Sequence, residues 1–312
     1  MATDRFIYPS HDVLARTHRS RPEAGGDGPK RPVSSVTRFV QRYPVATFLL
    51  MAYAIFWASW VPVLFLDAAP RLFSAVGALL GLAVPAFVVT AVTEGRDGIR
   101  YLVRRILRWR VGVVWYVFAM LAVPFGAMLL APVFLGQAPL QGLVHNWPLV
   151  FTHFAPQLLL AVVTVQFFEE LGWAGFVQHR LQARHGALKG SLLVALAFAF
   201  LHLPTYLSVP IDGGSALKDL SVMVIVIPFA IAFRILIAFT YNRTGFAVLI
   251  AAISHASFNE ASEIISPNVQ GPLAQLLAFA SVGLLALAVA VGSKGSLAYV
   301  RERPPAAQTV DV

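Results

Sequence analysis

Eight stretches of this sequence run for close to twenty residues with almost no charge, at about 44–66, 72–93, 112–135, 151–171, 190–208, 219–240, 245–264 and 272–293. A helix needs roughly 20 apolar residues to cross the hydrocarbon of a bilayer, so each stretch reads as a membrane-spanning segment. Composition agrees. Charged residues make up 12% of the 312 and hydrophobic ones 58%, whereas soluble domains carry about 25% charged residues. The expected fold class is all-α, a polytopic helical membrane protein of about eight transmembrane helices.

The net charge of +9 raises the question of nucleic acid, and its distribution answers it. With the N-terminus placed inside, twenty-one of the twenty-four Lys and Arg fall on the inner side of the eight segments. Only Arg71 and Lys218 fall in outer loops, and Arg234 sits within a span. This is the positive-inside pattern, which puts both termini in the cytoplasm of a multi-pass cell-membrane protein and assigns the basic charge to topology. No nucleic-acid partner is expected. Residues 1–43 are polar, basic and rich in Pro and Gly and read as a disordered cytoplasmic tail, with Arg38 and Arg42 resting on anionic headgroups. The membrane domain covers 44–293 and a second cytoplasmic tail covers 294–312. Cysteine is absent, which removes disulfides, thiol catalysis and Cys-ligated metal.

Most of the chain between these limits reads as scaffold. The first two spans, with Trp57, Trp60, Pro62 and Pro85, carry no charge at membrane depth and read as packing and lipid-facing helices. In the connection 94–111, Arg96, Arg100, Arg104, Arg105 and Arg108 recur every three or four residues, the spacing of a basic stripe on an interfacial amphipathic helix. His145 and His153 read as ordinary polar groups near the outer surface, and Glu260 and Glu263 as solvent-facing. The sequon Asn242-Arg243-Thr244 lies on the inner side, away from glycosylation.

The exception is Gln166–Gln178, which sets Glu169 and Glu170 at the end of an apolar run. Ionisable groups at membrane depth are rare and mark functional sites by default. The helix is expected to continue past the glutamates toward Arg180 and Arg184, which leaves Glu169 roughly 15 Å from its inner end. The fifth span carries Phe198 and His202, and the seventh carries His255 and Asn259. Each pair is four residues apart, on one helical face, and counting from the inner ends puts both histidines at roughly 15–18 Å. Three helices thus bring polar groups to one layer. A desolvated carboxylate is a competent base near neutral pH. Neutral imidazoles position water or bind a metal, and an amide stabilises an oxyanion. Peptide-bond hydrolysis within the membrane plane is the reaction these groups suit.

The three motifs resemble those of the intramembrane proteases that include the CAAX prenyl endopeptidases and the bacterial bacteriocin-processing and immunity proteins, called CPBP or Abi. The resemblance covers about 150–265. It implies an endopeptidase in which Glu169 activates water, His202, His255 and Asn259 position that water or ligate a metal, and Glu170 supports the architecture. The substrates it implies are membrane-anchored or prenylated peptide ends. Glu169, His202 and His255 are the candidate metal ligands, with zinc the ion that three ligands plus water would suit; glutamate-driven hydrolysis without metal uses the same groups. One position departs from the pattern. Ala174 stands where the family has an arginine four residues after Glu170, and Arg234 in the sixth span is the cation that could replace it from a neighbouring helix, unless it snorkels to the inner surface. Ala174 also motivates the rival reading, a non-catalytic binding or immunity scaffold of the same fold. A transporter or proton relay is the second rival.

Overall fold

The computed structural model describes residues 34–66, 68–207, 223–265, 267–269 and 272–300. Among them every regular element is helical. Twelve helices follow in order: α1 Ser35–Arg42, α2 Pro44–Leu66, α3 Pro70–Ile106, α4 Val113–Leu135, α5 Ala138–Asn146, α6 Val150–His185, α7 Ala187–Leu201, α8 Leu203–Leu207, α9 Met223–Arg243, α10 Val248–Asn259, α11 Ser262–Ile265 and α12 Pro272–Gly292. Six of these, α2, α3, α4, α6, α9 and α12, are long and apolar enough to cross a membrane.

The other two expected spans are shorter than the hydropathy suggests. Helix α7 has 15 residues and α10 has 12, so they rise about 22 and 18 Å against a hydrocarbon core of about 30 Å. Apolar sequence continues beyond both, and so their ends are hidden from a hydropathy reading. In each case the helix stops at the chemistry-bearing residue: α7 ends at Leu201 with His202 as its cap, and α10 ends at Asn259. Helix α10 is buried from Ile250 through Ser257 on every side, which its Ala- and Ser-rich sequence permits because small side chains let neighbouring backbones approach closely.

The helix expected in the connection 94–111 is present: at Gly95, with φ 63° and ψ -149°, the backbone leaves helical geometry, so α3 is two helices meeting at a kink, the second running to Ile106. Two further expectations need adjustment. The N-terminal tail ends in helix α1, whose first turn is closed by the Ser34 hydroxyl accepting from the Thr37 amide; residues 1–33 lie outside the described set. At the other end, 294–300 packs on the bundle instead of trailing from it. Leu297 is fully buried, and Asn242 donates its amide to the Leu297 carbonyl at 3.1 Å. Asn242, held there and by Gln182 Nε2 at 3.0 Å, is a buried structural group.

The basic ends of the helices meet. Arg180 of α6 forms a buried ion pair with Glu94 of α3, and Arg105 Nη1 donates to Tyr241 Oη at 3.0 Å. Helix α1 joins this end through Gln41 Nε2 and the Val92 carbonyl. The α6–α7 turn closes here as well, and it requires glycine: a Cβ on Gly190 would lie 2.8 Å from the Gln182 nitrogen and 2.9 Å from its Cα. The basic loops expected on one membrane side therefore share one end of the bundle.

Candidate active site

Helix α6 positions the acidic pair, and its own geometry is irregular there. One α-helical turn, Phe167–Gly172, holds both glutamates between two π-helical stretches, Val162–Gln166 and Trp173–Gln178. Such π turns concentrate at functional sites. Gly172 lets α3 and α2 come up behind the pair, since a Cβ there would stand 3.0 Å from both Leu82 Cβ and Phe48 Cζ. Adjacent residues on a helix project about 100° apart, and the two carboxylates accordingly meet different neighbours.

Glu170 is fully buried, as is Arg234. Its Oε1 accepts from Arg234 Nη1 at 2.6 Å and from His255 Nδ1 at 2.9 Å. Arg234 thus faces the acidic pair instead of snorkelling to the surface, and it occupies the cationic role that Ala174, itself fully buried, lacks the side chain to fill. Because a carboxylate only accepts, His255 carries its proton on Nδ1. Its Nε2 is left for other partners.

Glu169 is held more loosely. Its Oε2 lies 3.7 Å from His202 Nε2, beyond direct hydrogen-bond range, and among the described residues that oxygen has no hydrogen-bond partner although it is buried. His202 donates Nδ1–H to the Phe198 carbonyl at 2.8 Å, so it too presents Nε2. Phe198 packs on the imidazoles of His202 at 4.2 Å and His255 at 5.7 Å between ring centroids. The expected convergence of Glu169, Glu170, His202 and His255 is therefore present. Asn259 is the exception: it is exposed at the end of α10, one turn beyond His255, with no bond to the other four.

Among the described residues no three His, Asp or Glu side chains are grouped, as they stand, so as to hold a metal ion. His255 turns its Nδ1 to Glu170, and Glu169 Oε2 and His202 Nε2 lie 3.7 Å apart.

Several contributors are missed by a reading of the sequence. Tyr53 Oη donates to the Ala197 carbonyl at 2.8 Å and Trp57 Nε1 to the Leu201 carbonyl at 3.0 Å, both at the last turn of α7. These bonds fix the backbone that presents His202, and Phe56 packs on its ring at 5.8 Å. Helix α2 is therefore part of the site wall and not only a lipid-facing helix. The signal available was Tyr53 and Trp57, two aromatics with polar tips one turn apart in an otherwise apolar span. Phe233, one residue before Arg234, packs edge-on to His255 at 4.9 Å.

Residues 151–261 match the family model described as type II CAAX prenyl endopeptidase Rce1-like, an interval that contains all five candidate residues. No curated protein matches the chain.

Proposed function

We propose that this protein is an intramembrane endopeptidase in which Glu169 activates the hydrolytic water, a reading supported by the match of residues 151–261 to the type II CAAX prenyl endopeptidase Rce1-like family model. The observation that carries the assignment is the inequality of the two glutamates. Glu170 Oε1 is committed to Arg234 and His255, while Glu169 has no arginine partner and stands 3.7 Å from His202 Nε2; the Oε2 of each acid is buried without a hydrogen-bond partner among the described residues.

The steps follow from the atoms left free. Water donates one hydrogen bond to Glu169 and another to an imidazole Nε2, so that its oxygen points to the scissile carbonyl. Glu169 removes a proton as the C–O bond forms. The oxyanion takes a hydrogen bond from the Asn259 amide, whose exposure at the end of α10 suits contact with substrate. Glu169 then returns the proton to the leaving nitrogen as the C–N bond breaks, and the carboxylate is regenerated. Glu170 holds His255 in the tautomer that leaves Nε2 available, and Arg234 donates to the same Glu170 oxygen. The substrate class the family suggests is a membrane-anchored peptide, with prenylated C-terminal ends as the first to test.

The test is cleavage of farnesylated and unmodified membrane peptides by the protein reconstituted in lipid, against Glu169→Ala, with metal content measured on the same samples. Glu169-dependent cleavage is the expected result. A folded wild type that cleaves nothing sinks the peptidase reading in favour of a binding scaffold.

A further inference from the structure

Gln166 is a buried polar residue that the mechanism leaves unused. It lies one turn before the acidic pair, three residues from Glu169 and four from Glu170, so it shares their helical face. It is buried, and its Oε1 has no hydrogen-bond partner among the described residues. Leaving a buried acceptor without a hydrogen bond is costly, so such a group is expected to be satisfied in the working state.

Its surroundings say where that partner comes from. The π turn Val162–Gln166 packs against α10, and Glu170 bonds His255 of the same helix. The two helices run antiparallel, α6 toward the basic end of the bundle and α10 away from it. Stepping one turn from the Glu170–His255 contact in the direction away from that end reaches Gln166 on one helix and Asn259 on the other. Beside the layer of glutamates and imidazoles there is thus a second polar layer, in which one side chain is buried and unpartnered and the other is exposed. The other polar groups of α10 are already engaged: Ser254 donates to the Ile250 carbonyl and Ser257 to the Met120 carbonyl at 2.6 Å.

We propose that Gln166 is a substrate-positioning residue whose side-chain carbonyl accepts a hydrogen bond from a main-chain N–H of the peptide substrate. This rests on the peptidase reading above and deepens it. Chemistry selects the substrate group, because the unpartnered atom is an acceptor and an extended peptide offers one N–H per residue. Length selects its place. One helical turn separates Gln166 from the glutamates, about 5 Å, and an extended chain advances about 3.3 Å per residue, so the N–H contacted belongs to a residue one or two positions from the scissile bond. Recognition through the main chain makes the contact independent of substrate side chains.

The experiment is a cycle between enzyme and substrate. Wild type and Gln166→Met, in nanodiscs, are assayed on a farnesylated peptide and on two analogues N-methylated one and two residues from the cleaved bond. The expected result is that Gln166→Met raises KM about tenfold with kcat held within about threefold, that one N-methyl group does the same to wild type, and that the two losses do not add. A structural role for Gln166 predicts additive losses or a fall in kcat alone. Either result overturns the proposal while leaving Glu169-dependent cleavage, and with it the peptidase reading, intact. Absence of any Glu169-dependent cleavage by wild type overturns both.

Discussion

Glu169 and Glu170 are neighbours in the chain, on the same turn of the same helix, and they occupy two different kinds of environment. Glu170 sits in a closed triad with Arg234 and His255, wholly out of solvent. Glu169 has no such ion pair: its Oε2 lies 3.7 Å from His202 Nε2, and among the described residues the Oε2 of both acids is buried without a hydrogen-bond partner. The comparison teaches that the helical angle turns two adjacent acids to different neighbours, and a distant arginine then compensates only one of them. The proposed mechanism assigns the structural part to the compensated acid and the reactive part to the other.

The sharpest way to break this division is to neutralise each acid without changing its shape. Glu169→Gln is expected to lower kcat by at least a thousandfold while the thermal midpoint in detergent stays within a degree or two. Glu170→Gln is expected to do the reverse in kind, lowering the midpoint by several degrees, with any loss of turnover arising from a disordered His255. Equal loss of stability in both variants would remove the distinction.

A second test attacks the closed triad from its cationic side. Arg234→Met leaves Glu170 buried without its ion-pair partner, a change that costs about 3–5 kcal/mol. The double variant Arg234→Met with Glu170→Gln is expected to recover most of that stability, because it removes the uncompensated charge. Denaturation in mixed micelles measures both. If Arg234→Met alone is as stable as wild type, the arginine is not the replacement for the one missing at Ala174.

The open side is tested through its wall, with a change far from it as the control. The control, Gly190→Ala, forces a Cβ onto the Gln182 backbone at a contact remote from the glutamates. It is expected to cost about 1–3 kcal/mol of stability as an overpacking change, with kcat unchanged in the folded fraction. Trp57→Phe is the smallest change. It removes the bond to the Leu201 carbonyl, worth about 1 kcal/mol, and is expected to lower kcat several-fold through His202 while the unfolding midpoint moves by little. A Trp57→Phe enzyme with wild-type kcat would show that α2 packs against the site without orienting it.

The sequence by itself determined the class of the molecule and the identity of its chemical groups. Apolar run lengths required a helical membrane protein, the Lys and Arg pattern sorted its loops, and the spacings Phe198–His202 and His255–Asn259 put each pair on one helical face. Glu169 and Glu170 were conspicuous because charge at membrane depth is expensive, and Ala174 only because the motif that the sequence resembles has an arginine there. Hydropathy could not see that α7 and α10 stop short, since it records what is apolar and not where the backbone turns. Only the tertiary structure decided which glutamate is closed and which open, because that depends on Arg234, 64 residues away, reaching Glu170 and not Glu169. It alone decided that α2 grips the end of α7, a contact across 144 residues in which the donors are ordinary aromatic tips and the acceptors are main-chain carbonyls. Local patterns encode the face and depth a residue occupies; the partner waiting there is set by how distant helices pack.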